Sequence, residues 1–453
     1  MGSAFHDTIF ALSTPPGRGG VAMVRVSGQH ARASALKLSG KKDLVARQAT
    51  YAKISDPVSR ETLDHAVLTY YRGPASFTGD DVVEYAVHGS PAVVGALLDV
   101  LSAEEGHRLA EAGEFTRRAF ENGKLDLTEA EAVADLIHAE TALQRRQALS
   151  QLEGSLSNLY EGWAARLTKA LAYLEAAIDF ADEDLPADFT KPVLEDVATL
   201  QDEISAHLND NHRGERLRDG IRLAIIGTPN AGKSSLLNRL ARREAAIVSP
   251  FAGTTRDVID VHLDIGGYPV ILSDTAGLRP EELGETNQDA IESEGIRRAL
   301  KAAHEADICL LLLDGARPLT EQKATLDLLD GRAVLALTKS DLKSAPESKT
   351  YQGLPVTHLS SVSGDGLVEL TRILAEKCEA LFGLRETPSL TQKRHREALV
   401  LTSEHLARAL RVAQPDLLAE DVRLALRSLG AITGRVDVED LLDVIFRDFC
   451  IGK

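Results

Sequence analysis

One stretch, Gly227-Thr228-Pro229-Asn230-Ala231-Gly232-Lys233-Ser234, restricts the fold of this chain more than any other. It follows an apolar run, Ile221 to Ile226, that reads as a buried parallel strand. It leads into Leu236, Leu237 and Leu240, spaced for one face of a helix. A strand, a glycine-rich turn ending in Gly-Lys-Ser and a helix form the context of a phosphate-binding P-loop. The glycines let backbone N–H groups converge on a phosphate, and the helix N-terminus adds positive potential. Within Asn230-Ala231-Gly232-Lys233-Ser234-Ser235, Lys233 reaches the β and γ phosphates and Ser234 ligates Mg²⁺. Strand and helix patterns alternate from 217 to about 382, which predicts a doubly wound α/β domain around the loop.

Further segments follow in the order a GTPase needs. Gly253-Thr254-Thr255-Arg256-Asp257 supplies a switch threonine, Thr255, able to ligate Mg²⁺ when a γ-phosphate is present. Asp274-Thr275-Ala276-Gly277 follows the apolar run Pro269 to Ser273. Its aspartate is placed to hold Mg²⁺ through water, and its glycine to give an N–H to the γ-phosphate. Thr338-Lys339-Ser340-Asp341 ends another apolar run, Ala333 to Leu337, and Ser360-Ser361-Val362 follows. A carboxylate such as Asp341 accepts from the N1–H and 2-amino edge of guanine, an edge adenine lacks, while the later N–H groups reach guanine O6. GTP is therefore preferred over ATP. The base-reading tetrapeptide usually begins with asparagine; the hydroxyl of Thr338 is expected to bond to the P-loop in its place and to retune affinity without altering specificity.

The residue after Gly277 is Leu278, where Ras-like enzymes carry a glutamine that orients the attacking water. Leucine neither donates nor accepts, so water positioning and charge neutralisation must come from elsewhere. Asn230, with the loop Ser249-Pro250-Phe251-Ala252, suggests a monovalent cation where an arginine finger would lie. Glu292 is the candidate to orient the water.

Around this domain the pattern changes. Residues 1–118 suit a mixed α/β unit, with strands at Val21–Val26, His65–Tyr71 and Asp81–Val87 and a helix from Pro91 to Leu101. From Leu149 through Leu156, Trp163 and Leu174 to Ile178, apolar residues step by three or four, predicting one long helix. A second is expected near Val193 to Leu208. Helical spacing returns at Leu399 to Leu410, Leu417 to Leu429 and Val438 to Phe446. The expected domains are 1–118, a helical domain in two halves (119–216 and 383–453), and the P-loop domain (217–382) inserted between them.

Composition narrows the class. No apolar run is long enough to span a bilayer, and no signal peptide is indicated. Three cysteines (Cys309, Cys378, Cys450) form neither a disulfide framework nor a zinc spacing, which fits a reducing cytoplasm. The net charge of −17 does not attract polyanions by bulk field, so nucleic-acid contact requires a local patch or a partner. The densest basic cluster, Thr391 to Arg396, reads as a solvated helix face.

The whole chain resembles the MnmE (TrmE) family, GTPases that modify the wobble uridine of certain tRNAs. The resemblance rests on Thr14-Pro-Pro-Gly-Arg-Gly-Gly-Val21, Ser76-Phe-Thr-Gly-Asp-Asp-Val82, Gly113-Glu-Phe-Thr-Arg-Arg-Ala-Phe120 and Asn122-Gly-Lys-Leu-Asp-Leu127. The GTPase motifs and the terminal Phe449-Cys-Ile-Gly-Lys453 match too. It implies a folate-binding α/β N-terminal domain that also dimerises, a discontinuous helical domain and an inserted Ras-like P-loop GTPase domain that pairs across its switch face. It places K⁺ on the Asn230 side chain, the carbonyls of Ser249 and Phe251, and Thr254, and it puts the family's catalytic glutamate at Glu292. For a 5-formyl- or methylene-tetrahydrofolate it indicates Arg25, Glu84, Lys124 and Lys453, with Cys450 near them in an undefined role. It further implies a homodimer working with the flavoprotein MnmG (GidA) in a heterotetramer on tRNA, away from membranes. The pair would add an aminomethyl or carboxymethylaminomethyl group to carbon 5 of uridine 34. His88-Gly89-Ser90 departs from the usual His-Gly-Gly, and 279–289 is an acidic lengthening of the second switch. A ribosome-assembly or regulatory switch is the alternative; it would need neither the folate-type motifs nor the terminal tail.

Overall fold

The computed structural model describes residues 6–179, 191–243, 261–272, 301–342, 350–382 and 388–452, leaving out 413, 437–438, 448 and 450. The chain divides into two compact units: residues 1–134, 151–197 and 404–453, and residues 135–150 and 198–403.

The first unit is built on a six-stranded sheet of β1 (Thr8–Leu12), β2 (Gly19–Ser27), β3 (Ala49–Ser55), β4 (Thr62–Tyr71), β5 (Val82–Gly89) and β6 (His107–Leu109). Their order is β3-β4-β5-β2-β1-β6. All neighbours are antiparallel except β1 and β6. Alternation along the strands makes the core: Val24 and Val26 of β2 and Val83 and Tyr85 of β5 are fully buried beneath the helices Ala31–Ser39 and Pro91–Ser102. The intervening residues, Arg25 and Glu84 among them, therefore lie on the other face.

The helical part of this unit pairs Ser155–Asp179 with Pro415–Thr433. Arg423–Glu175 and Arg435–Glu161 ion pairs flank the seam. Leu442, Phe446 and Phe449 close over Leu127 and Ala130. The expected single helix through 149–178 is in fact two, Ala142–Leu152 and Ser155–Asp179. Gly154 separates them at φ +86°, a left-handed conformation that only glycine takes without strain. Apolar spacing continues in phase across the break, so periodicity alone does not reveal it.

The second unit holds a seven-stranded sheet: β7 (Ile221–Gly227), β8 (Val261–Ile265), β9 (Tyr268–Leu272), β10 (Ile308–Asp314), β11 (Ala333–Thr338), β12 (Thr350–Tyr351) and β13 (Leu354–His358). The order is β12-β13-β11-β10-β7-β9-β8, parallel except at the two edges. Every residue of β10 and β11 is buried, as strands covered on both faces require. The basic cluster at 391–396 is a solvated face only in part: Lys393 is exposed, but two other members turn inward. His395 is fully buried, and Arg396 donates to Asp210 and Glu215 at 2.7 Å each and to the Leu208 carbonyl at 2.8 Å. Two carboxylates and a helix end draw this arginine inward. No described helix is long and apolar enough to cross a membrane.

One ion network braces the first unit. The fully buried Arg118 donates to Asp7 Oδ1 (2.8 Å) and Glu114 Oε1 (3.0 Å), and Arg108 donates to both carboxylates as well. Burial alone would raise these two carboxyls, but the guanidiniums outweigh it and hold both below their ordinary pKa. Their stabilisation is thus complete above the unfolded value, about pH 4, and is lost as pH falls through the depressed folded values. Arg118→Ala is expected to destabilise this unit by about 3–5 kcal/mol. The measurement is urea unfolding followed by Trp163, the single tryptophan and a member of this unit. The variant should also lose most of the wild-type acid sensitivity below about pH 4. A loss under about 1 kcal/mol would mean the network is effectively solvated.

Candidate functional site

Parallel register builds the first site. Leu312 of β10 lies beside Gly227 at the end of β7, and Asp314 beside Thr338 at the end of β11. The loops after three adjacent strands thus emerge at one sheet edge, the place where open α/β sheets bind ligands. A Cβ on Gly227 would sit 2.5 Å from the Leu312 carbonyl oxygen, so glycine alone permits the turn this close to β10. Asn230, exposed, takes φ +65°. The helix Lys233–Arg243 starts immediately after Gly232, with Ser234 and Ser235 exposed in its first turn.

Lys233 donates to the carbonyls of Gly227 (2.8 Å) and Thr228 (3.1 Å), and burial pushes its pKa below the ordinary lysine value. Thr338 Oγ1 donates to the P-loop carbonyl of Ala231 at 2.8 Å and to Leu313 O at 3.2 Å. The expected hydroxyl contact to the P-loop is present. Lys339 takes φ +59° and donates to Asp314 Oδ2 at 2.7 Å, and Asp341 stands exposed on the same turn. That turn is joined to the next loop by Ser340 N–H to Leu359 O, 3.0 Å. There the buried Ser360 accepts the N–H groups of Val362 (3.2 Å) and Ser363 (3.1 Å), leaving Ser361 half-buried and Val362 exposed.

The structure therefore brings together Asn230 to Ser235, Thr338, Lys339, Asp341 and Ser360 to Val362. Ser249, Phe251, Thr254, Thr255, Asp274 to Gly277, Glu292 and the 279–289 segment lie outside the described residues. The sequence reading did not single out Asp314. Its only signal was an aspartate ending a strand otherwise wholly apolar.

The second site lies on the open face of the six-stranded sheet. Arg25 and Glu84 are directly opposite each other on β2 and β5, and the guanidinium donates to Glu84 Oε1 through Nη2 (2.8 Å) and Nε (3.1 Å). Glu84 Oε2 accepts from the Tyr71 hydroxyl at 3.4 Å. Arg25 also lies over the rings of Phe77 (5.6 Å) and Phe115 (5.7 Å). Lys124 donates to Pro74 O (3.0 Å) and Arg47 to Ala75 O (2.7 Å). Arg25, Arg47, Tyr71, Phe77, Glu84 and Lys124 line a cavity of about 350 Å³. The loop that supplies Ser76 and Phe77 is held from behind by Asn122 on Thr78 O (2.7 Å) and by Asp81 on Gly73 N–H (2.9 Å).

Arg25, Glu84 and Lys124 share this cavity. Arg47 and Tyr71 join them without having been foreseen, and Phe77 joins from a segment quoted only for the resemblance, because two loops and a neighbouring strand supply them and no spacing connects these. Burial lifts the Tyr71 hydroxyl above the ordinary tyrosine pKa, helped by the Glu84 carboxylate, so it stays a donor. His88-Gly89-Ser90 does not line the cavity; His88 is exposed and paired with Asp64 at 2.7 Å. Lys453 and Cys450 lie outside the described residues. The tail before Lys453 lies against β1: Ile451 bridges to Ala112, and Gly452 O accepts from Ser13 Oγ at 2.9 Å.

Residues 8–124 match the family model described as GTP-binding protein TrmE N-terminus, and residues 127–450 match that of the MnmE helical domain. A tRNA modification GTPase MnmE of Parvibaculum lavamentivorans is 52% identical over 452 residues, which cover 99% of this chain and 100% of that protein. Its counterpart from Paramagnetospirillum magneticum is 49% identical over 447 residues, 99% of this chain and 100% of that one. A mitochondrial protein of Danio rerio, named as a subunit of a 5-taurinomethyluridine tRNA synthase, is 47% identical over 476 residues. That match spans 99% of this chain and 93% of the Danio protein. With likeness of this extent over both sites just described, the chain belongs to the MnmE (TrmE) family and is a GTP hydrolase.

Proposed function

We propose that this GTP hydrolase drives the modification of carbon 5 of the wobble uridine, position 34, in tRNA. With a flavoprotein partner of the MnmG kind it adds an aminomethyl or carboxymethylaminomethyl group whose carbon comes from a folate one-carbon unit. The chain acts in the cytoplasm as a homodimer, pairs its GTPase domains (217–382) during hydrolysis, and joins the flavoprotein in a heterotetramer. One observation carries the reading: a GTP hydrolase builds a cavity in which a carboxylate, aromatic side chains and three cations, Arg25, Arg47 and Lys124, converge.

The cavity fits a tetrahydrofolate by its donor set. Glu84 Oε1 is engaged by Arg25, while Oε2, which among the described residues accepts just the 3.4 Å bond of Tyr71, has capacity for the guanidine-like edge of a pterin. Phe77 offers an apolar face. Lys124 and Arg47, bonded to carbonyls and not to carboxylates, suit the anionic glutamate tail, and the terminal Lys453 would add to them. When bound, the folate supplies the one-carbon unit.

At the nucleotide site, Lys233 would leave the carbonyls of Gly227 and Thr228 for the β and γ phosphates. Ser234 and Thr255 would hold Mg²⁺ and Asp274 would hold it through water. Asn230, the carbonyls of Ser249 and Phe251, and Thr254 would hold K⁺, which supplies positive charge beside the phosphates where an arginine finger would otherwise act. Asp341 reads the guanine edge, Ser360 to Val362 present N–H groups to O6, and Glu292 orients the water.

The function is tested by comparing tRNA from cells with and without this protein: position 34 should lose its carbon-5 substituent, and an unchanged modification profile would overturn the reading. GTP turnover should rise about tenfold or more when K⁺ replaces Na⁺; equal rates in the two salts would remove the cation site. Glu84→Gln should weaken binding of 5-formyltetrahydrofolate, read by calorimetry, about 10- to 100-fold and leave GTP turnover unchanged. Undiminished binding would place the folate elsewhere.

A further inference from the structure

Asp314 ends β10 with its side chain almost wholly buried, 2% exposed, yet it lies at the edge where the nucleotide loops gather. Its carboxylate is held by three groups, of which Arg317 Nε is the most distant at 4.0 Å from Oδ2. Oδ1 accepts the Ala316 N–H at 2.9 Å and Oδ2 accepts the Lys339 ammonium at 2.7 Å. The fully buried Gln322 grips its backbone, accepting the Asp314 N–H at 2.7 Å and donating to its carbonyl at 3.0 Å. Gly315 N–H, next in the chain, donates to Thr338 O at 3.0 Å. The partner lysine is different: its side chain is 35% exposed and its backbone is left-handed at φ +59°, a conformation disfavoured for a residue with a Cβ. Such a conformation persists only where the surroundings over-determine it.

We infer that Asp314 is a positioning residue for the guanine base: it holds the Lys339 ammonium, and thereby the turn that carries Asp341, in the shape that receives the base. This deepens the reading of Lys339 and Asp341 as base contacts and rests on it. The reasoning turns on what Thr338 lacks. Its hydroxyl has one proton, shared between Ala231 O and Leu313 O, so the P-loop side restrains the turn through a single divided bond. The charge-assisted Asp314–Lys339 bond is the second anchor, and it is the stronger kind. Burial alone would raise the Asp314 carboxyl, but the lysine and the Ala316 N–H hold it below the ordinary range, so it stays charged throughout neutral pH. An ion pair that served only the core would have no reason to place its cation on a strained, part-exposed turn.

The test is a double-mutant cycle on the full chain, read by steady-state GTP turnover and by dissociation of fluorescent mant-GDP. Asp314→Asn and Lys339→Met should each raise the KM for GTP and the mant-GDP dissociation rate about tenfold, Asp314→Asn without lowering kcat at saturating GTP. Because the aspartate acts through the lysine, the double variant should be no worse than Lys339→Met alone. Multiplying effects, or a fall in kcat without a change in KM, would make Asp314 a structural residue and overturn the inference. Lys339→Met replaces a part-exposed side chain and should fold even where Asp314→Asn does not; a wild-type KM in it overturns the inference by itself. Asp341→Asn tests the underlying reading separately. It should shift preference from GTP to XTP, and unshifted preference would sink the base-reading assignment whatever the aspartate does.

Discussion

The nucleotide site depends on the register of three parallel strands. With Leu312 beside Gly227 and Asp314 beside Thr338, β10 and β11 end level with each other and β7 ends two residues earlier. A P-loop supplies phosphate contacts but cannot choose a base, and a base-reading turn cannot hold a nucleotide unaided. Only the register places them within one hydrogen bond of each other, the 2.8 Å contact of Thr338 with Ala231 O. A slip of one residue would part Asp314 from Thr338 and exchange side chains between two close-packed faces, so the shape of the packed core around β10 and β11 holds the alignment. Core packing and base selection are here the same constraint.

The other unit reaches a comparable end by antiparallel pairing. Arg25 and Glu84 meet because they are cross-strand partners on one face, while their neighbours Val24, Val26, Val83 and Tyr85 fill the core on the other. The aromatic rings beneath Arg25 and the hydroxyl of Tyr71 complete a polar constellation on an otherwise ordinary sheet. The Arg118 network fixes the start of β1 and the helix Glu114–Glu121, whose Phe115 is one of those rings. Stability of the frame and geometry of the cavity are therefore linked through one helix.

What could be read in the residues divides along local and non-local lines. The strand, turn and helix at 221–243 were legible because every cue is contiguous, as were β2, β4, β5 and the helix at Pro91. β1 and β3 were not; β3 reads Ala-Thr-Tyr-Ala-Lys-Ile-Ser and buries only Ala52 and Ile54, too weak an alternation to stand out. The break at Gly154 was hidden by an apolar period that runs through it. Arg396 was misread because its acidic partners lie far away in the chain. Arg47, Tyr71 and Asp314 escaped for the same reason: each gains its meaning from a partner brought near by the fold. Family likeness pointed to Arg25, Glu84 and Lys124, which spacing could not do.

The charge of the chain bears on how it meets polyanions. The chain has 51 basic against 68 acidic residues, and among the described residues many arginines have a carboxylate close at hand; Arg108, Arg118, Arg166, Arg218, Arg396 and Arg423 are all so paired. A phosphate approaching such an arginine must displace a carboxylate held at full contact, and gains little by doing so. Lys233, Lys124 and Arg47 are different, because their hydrogen bonds run to backbone carbonyls. A carbonyl satisfies the donor without cancelling its charge, so an anion that replaces it gains the full electrostatic attraction. At the two proposed sites these three cations are hydrogen-bonded but not neutralised, beside the ion-paired Arg25 and Lys339.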